Sequence, residues 1–258
     1  MTFSTAVATA APTRGPVAGL AAQGVLLAVL AGTVGLSAAG VLAGAAYAVV
    51  LWLSLTAALQ AARMPRLGPA NRVTLARASL VAGVTALVAT SLDRPIRTAV
   101  LVALVGVALA LDGVDGQVAR RTGSTSALGA RFDMEIDAFL ILVLSVDIAG
   151  TLGWWTVAIG AYRYLFLAAS RAVPWLAAPL PPRFSRKVVA AVQGVVLGVT
   201  ITQLLPSTLA SAAVMAALAS LTWSFGHDIG WLWRVERIRR AVASAVPVGP
   251  YPVPAPVA

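Results

Sequence analysis

TAVLVALVGVALALDGVDGQVARRTGSTSALGARFDMEID, residues 98–137, begins as an apolar run and ends among acids. From Thr98 to Asp115 it has the length and apolarity to cross a bilayer as a helix, which takes about 17 to 25 residues. A second apolar run starts at Ile136, and the link between them, Gly116 to Arg131, is polar and glycine-rich. The stretch therefore reads as two membrane helices joined by a membrane-edge loop with aspartates at its borders.

The rest of the chain agrees. Of 258 residues 59% are hydrophobic and 11% charged, too few charges for a soluble domain to cover itself. Eight stretches approach spanning length: Val17–Ser37, Val41–Leu59, Val73–Thr90, Thr98–Asp115, Ile136–Thr151, Trp154–Ala169, Val188–Leu205 and Thr208–Phe225. The expected fold is an all-α integral membrane protein, with a core of six transmembrane helices preceded by two additional N-terminal ones. The first apolar run is too long for the core of a signal peptide, so an uncleaved helix is expected there. The domain reading is a disordered N-terminus over 1–16, a charge-free transmembrane hairpin over 17–62, a core over 63–240, and a proline-rich disordered tail over 241–258.

Nineteen basic residues face nine acidic ones, for a net charge of +10. If the third span starts in the cytoplasm, the cytoplasmic connections carry fourteen basic residues: Arg63, Arg66 and Arg72; Arg120, Arg121 and Arg131; Arg171, Arg183, Arg186 and Lys187; Arg234, Arg237, Arg239 and Arg240. The opposite side carries Arg94 and Arg97. That asymmetry predicts a multi-pass protein of the cell (inner, cytoplasmic) membrane with both termini and the aspartates facing the cytoplasm, and nucleic acid is not needed to explain the charge. Trp154, Trp155, Trp231 and Trp233 fall at expected interfaces as anchors.

Asp112 and Asp115 are three residues apart, Asp133 and Asp137 four. On a helix such pairs share a face with about 5 to 6 Å between Cβ atoms, an arrangement that suits a divalent cation. An ionised aspartate at the bilayer centre costs about 2.5 to 3.5 kcal/mol, less near an interface, so four together need compensation. With no cysteine in the chain, oxygen ligands favour magnesium, manganese or calcium, and magnesium is commonly shared with substrate phosphates. Gly113, Gly116 and Gly129 would let a second helix or a pyrophosphate approach the backbone, and Arg120 would neutralise phosphate charge.

The order Asp112-x-x-Asp115-Gly116-x-x-Ala119-Arg120, eight residues, Gly129-x-x-x-Asp133-x-x-x-Asp137 resembles the motif of the class I CDP-alcohol phosphotransferase (CDP-alcohol phosphatidyltransferase) family at every defined position. The stretch from Pro69 through Asn71, Thr74 and Arg77 is similar to the family's opening of its first core helix, and Lys187 and Gln193 match a frequent pair on the fifth, with Ala190 in place of a common threonine. The resemblance implies that Asp112, Asp115, Asp133 and Asp137 hold two metal ions, Mg2+ or Mn2+, against a CDP pyrophosphate. It implies Asp137 as base, and Gly116, Ala119, Arg120, Gly129, Asn71, Thr74 and Arg77 as the surroundings of the CDP and its phosphates. The implied partners are CDP-diacylglycerol, an alcohol acceptor, membrane lipid and a second copy of the chain in a homodimer. The products would be a phosphodiester and CMP.

Arg183, Arg186 and Lys187 are candidates to bind an anionic acceptor, against a plain reading as positive-inside charge. The acceptor is left open among glycerol phosphate, inositol phosphate, another alcohol and phosphatidylglycerol. Asp147 and Arg163, on neighbouring expected helices, either pair with each other or approach the site, and His227 reads as a solvated loop residue. Two other functions share parts of the pattern. An aspartate-rich membrane prenyltransferase would want different acid spacings and has no use for Gly116-x-x-Ala119-Arg120. A cation transporter would place its acids at the midplane, between repeated halves.

Overall fold

The computed structural model describes residues 14–63, 67–122, 126–181 and 183–245, and among them the only regular elements are helices and two short 3-10 turns. In chain order the helices are α1 (Arg14–Thr33), α2 (Ala38–Ala61), α3 (Pro69–Ser91), α4 (Thr98–Thr122), α5 (Ala127–Leu152), α6 (Val157–Ala172), α7 (Phe184–Thr200) and α8 (Ser207–Ala245). Each of the eight expected spans falls largely within one of them. Stretches of α1, α2, α3, α4 and α8 are long and apolar enough to cross a membrane by themselves. Helix α5 carries Arg131, Asp133, Glu135, Asp137 and Asp147 along its length, while α6 and α7, at 16 and 17 residues, are shorter. The protein is an all-α, multi-pass membrane protein.

Two boundaries differ from the sequence reading. Helix α4 continues past Asp115 to Thr122, and α5 begins at Ala127, so the expected loop from 116 to 131 is mostly helix. The physical reason is capping: the Ser126 hydroxyl accepts from the Gly129 amide at 3.0 Å and starts α5 nine residues before the apolar run. Helix α8 runs five residues into the expected tail, whose remainder lies outside the described residues, as does most of the N-terminal segment expected to be disordered.

Helix α3 is the centre of the bundle: α1, α2, α4 and α5 all pack on it. Its start is set by Gly68 as N-cap and Pro69 in the first turn. In a bilayer apolar side chains face lipid and protein alike, so close approach is decided by small residues. Ala78, Ala82 and Ala86 of α3 are fully buried, and Gly40 and Gly44, four apart on α2, lie against the Ala86 and Ala82 carbonyls. A Cβ at Gly40 would sit 2.5 Å from the Ala86 oxygen.

Helices α5 and α6 are joined through Gly153, whose φ of +103° is a conformation that side chains disfavour, and a 3-10 turn over Trp154–Thr156. The Thr156 hydroxyl donates to the Ser145 carbonyl at 3.0 Å, and Gly160 lies so close to α5 that a Cβ there would be 2.3 Å from the Leu142 Cα. Helices α7 and α8 are tied by Gln193, whose amide nitrogen donates to the Ala217 carbonyl at 2.9 Å.

Candidate active site

The aspartates converge at one end of the bundle, where α3 starts, α4 ends and α5 starts. Arg77, fully buried on α3, donates through Nη1 to Asp112 Oδ1 and through Nη2 to Asp133 Oδ1, and Nη2 lies 3.0 Å from Asp137 Oδ1. One ligand oxygen from each of Asp112, Asp133 and Asp137 falls within 4.8 Å of the others. The carboxylates are about two-fifths exposed while the guanidinium is sealed behind them, at 46%, 38% and 40% against 0%. Spacing along the chain accounts for the pairing of Asp133 with Asp137, but only the packing of three helices brings in Asp112 and Arg77.

The residues around the cluster divide. Asn71 is buried at the start of α3, and its Oδ1 would be 2.4 Å from a Cβ on Gly129, so this glycine is where α3 and α5 meet. The Thr74 hydroxyl, also buried, donates back to the Ala70 carbonyl at 3.2 Å. Gly116 lies on α4, half-buried, whereas Gly113 faces open space instead of a neighbouring helix. Asp115, Ala119 and Arg120 continue α4, but their side chains lie outside the described residues.

Beside Asp137 opens a cavity of about 640 Å³ between α5, α6, α7 and α8. Four cations line it: Arg163, Arg183, Arg186 and Lys187. The three that sequence singled out as acceptor candidates thus share one cavity with Asp137. Two are held by an acid that sequence reasoning passed over. Asp228, buried on α8, stands 3.7 Å from Arg183 Nη1 and 3.4 Å from Arg186 Nε. Lys187 makes no ion pair among the described residues. Gln193 also lines the cavity, its amide nitrogen turned to α8 and its buried Oε1 without a hydrogen-bond partner among the described residues.

Arg163 does not pair with Asp147. It binds Glu135 on α5, a second acid missed in the sequence, and lies near the Met134 sulfur at 3.0 Å, while Asp147 accepts from Ser91 at 3.2 Å. The physical reason is register: α5 and α6 run antiparallel, with Thr156 against Ser145 and Gly160 against Leu142, which places Arg163 about level with Phe139, one turn from Glu135 and two turns from Asp147. His227 lies outside the cavity wall, its ring 5.9 Å from that of Trp223.

The cluster suits a divalent metal. Among the described residues three carboxylates face one guanidinium, their donors are all hard oxygens, and their exposed sides open to the space beside them.

A family model described as CDP-alcohol phosphatidyltransferase matches residues 67–224, which takes in α3 to the middle of α8 and every residue of the aspartate motif. No curated protein and no solved structure matches the chain. With more than half of its length matched and Asp112, Asp133 and Asp137 of the motif gathered at one end of a helical membrane bundle, the chain belongs to the CDP-alcohol phosphatidyltransferase family.

Proposed function

We propose that this protein transfers a phosphatidyl group from CDP-diacylglycerol to a phosphate-bearing alcohol such as glycerol phosphate or inositol phosphate, releasing CMP at the cytoplasmic edge of the cell membrane. The observation that carries the acceptor reading is the single cavity that joins Asp137 to Arg183, Arg186 and Lys187. Lys187, with no ion pair among the described residues, is open to a phosphate, and Arg183 and Arg186 lie within ion-pair distance of Asp228 with other donors left to meet it. An acceptor whose phosphate sits among these cations would extend its alcohol toward Asp137.

Asp137 takes the proton from the attacking hydroxyl, the oxygen forms a bond to the phosphatidyl phosphorus, and the bond to CMP breaks with its electrons leaving on CMP. Asp112, Asp115, Asp133 and Asp137 would hold two Mg2+ or Mn2+ ions, which when bound neutralise the pyrophosphate and the charge growing on the departing CMP. Arg77 holds three of these carboxylates together from behind, so that the site is assembled before substrate arrives. Asn71, Thr74, Gly116, Ala119, Arg120 and Gly129 surround the CDP moiety in this reading, and the diacylglycerol tails stay in the bilayer. The working form is proposed to be a homodimer.

The test is CMP release from CDP-diacylglycerol by purified protein with magnesium or manganese, across a panel of alcohols, beside Asp133→Ala. Release that needs metal, Asp133 and a phosphate-bearing acceptor is expected. Equal rates with uncharged alcohols would overturn the acceptor assignment, and no release with any acceptor would overturn the reaction.

A further inference from the structure

A second cavity, of about 1090 Å³, runs between α2 and α5. The two helices both pack on α3 yet make little contact with each other. They come together where Leu55 and Leu59 lie against Leu128 and Phe132, and where Tyr47 stacks on Phe139 with ring centroids 4.7 Å apart. Along α2 the walls extend from Ala43 to Ala62, about 28 Å at 1.5 Å per residue. Its length exceeds the reach of one leaflet's chains, half of a hydrocarbon core about 30 Å thick.

The lining is apolar with one cation and one acid among the described residues. The acid, Glu135, is held by Arg163. The cation, Arg131, is exposed in the first turns of α5, near the end of the slot closed by Leu59, and makes no ion pair among the described residues. An apolar slot long enough to take a lipid chain, with a guanidinium at its interfacial end that makes no ion pair among the described residues, is complementary to an anionic lipid. The slot also lies apart from the reaction: α5 turns Arg131, Phe132, Glu135 and Phe139 to it, and Asp137, Ala138 and Ile141 to the catalytic cavity. Its other wall, α2, precedes the residues that match the family.

We propose that the slot between α2 and α5 holds one acyl chain of an anionic phospholipid drawn from the surrounding bilayer, with its phosphate on Arg131, as a resident lipid distinct from the reacting ones. The inference stands apart from the choice of acceptor, and it gives the N-terminal pair of helices a task.

The experiment is native mass spectrometry of delipidated protein reloaded with phosphatidylserine or phosphatidylcholine of identical chains. The wild type is expected to retain one phosphatidylserine in severalfold preference. Arg131→Gln should lose the preference and keep the chain, and Ala46→Phe with Ala58→Phe, which fills the slot, should lose retained lipid of either kind while thermal unfolding stays cooperative. Equal retention of both lipids by the wild type would overturn the headgroup assignment. Retention unchanged by the double variant would place the lipid elsewhere. Displacement by one equivalent of CDP-diacylglycerol would make the slot the donor's, and disulfide-linked dimers of Ala58→Cys would make it an interface between copies. Because binding is read directly, a protein inactive toward every acceptor still shows whether the slot holds a lipid.

Discussion

Arg77 decides how the aspartate cluster behaves before any ligand arrives. Its side chain is fully buried, and it is the group that the structure shows bridging carboxylates from α4 and α5. Arg77→Met would keep the packing volume and leave three carboxylates facing one another. A fully buried pair that loses one member costs about 3 to 5 kcal/mol, but water reaches these carboxylates, so a loss of about 1 to 3 kcal/mol is expected in metal-free protein. Added magnesium should raise the unfolding temperature of the variant by more than that of the wild type, because the metal then supplies the missing positive charge. Thermal unfolding with and without chelator measures both. An unchanged metal-free unfolding temperature would mean that the carboxylates do not need the guanidinium.

Helices meet here through positions that have no side chain, and what stands opposite sets the penalty for adding one. At Gly129 the obstacle is the end of the Asn71 side chain, and at Gly160 it is the Leu142 backbone. Overpacking typically costs about 1 to 3 kcal/mol, with the lower part of that range expected for Gly129→Ala and the upper part or beyond for Gly160→Ala, since the α5 backbone can yield only by moving the helix. Removing the Asn71 side chain in an Asn71→Ala, Gly129→Ala double variant should recover the stability lost at Gly129, whereas no single truncation on α5 should rescue Gly160→Ala. Unfolding temperatures of the four proteins test the order, and a milder effect at Gly160 than at Gly129 would contradict it.

The molecule gathers its candidate catalytic groups at one end. The start of α3, the end of α4, the starts of α5 and α7 and the later turns of α8 all contribute, while Asp147, Ser91 and the Arg94 contact to the Gly35 carbonyl lie toward the other. The proposed cytoplasmic placement of the first end can be read directly, because the chain has no cysteine to mask. In intact cells, Asp93→Cys should react with a membrane-impermeant thiol reagent added outside, and Lys187→Cys should react only after the membrane is opened. The reverse pattern would invert the orientation.

The sequence alone determined that this chain is an all-α membrane protein and singled out Asp112, Asp133 and Asp137, which the structure brings together. Spans are legible because a bilayer demands long apolar runs, and the acids because ionised groups are rare in such a chain. Helix limits were less legible: polar turns continue α4 and start α5 beyond the membrane-length runs, and the Ser126 cap lies in a polar stretch that apolar length does not mark. Only the tertiary structure decided what the acids meet. That Arg77 enters their midst, that Asp228 pairs with Arg183 and Arg186, and that Arg163 answers to Glu135 and not to Asp147 each depend on how packed helices are set in register against one another. Apolar periodicity cannot report that register in a bilayer, where the lipid-facing and the buried sides of a helix are equally apolar. For the same reason the gap between α2 and α5 is invisible in the sequence, because it is set by how closely each helix can approach α3.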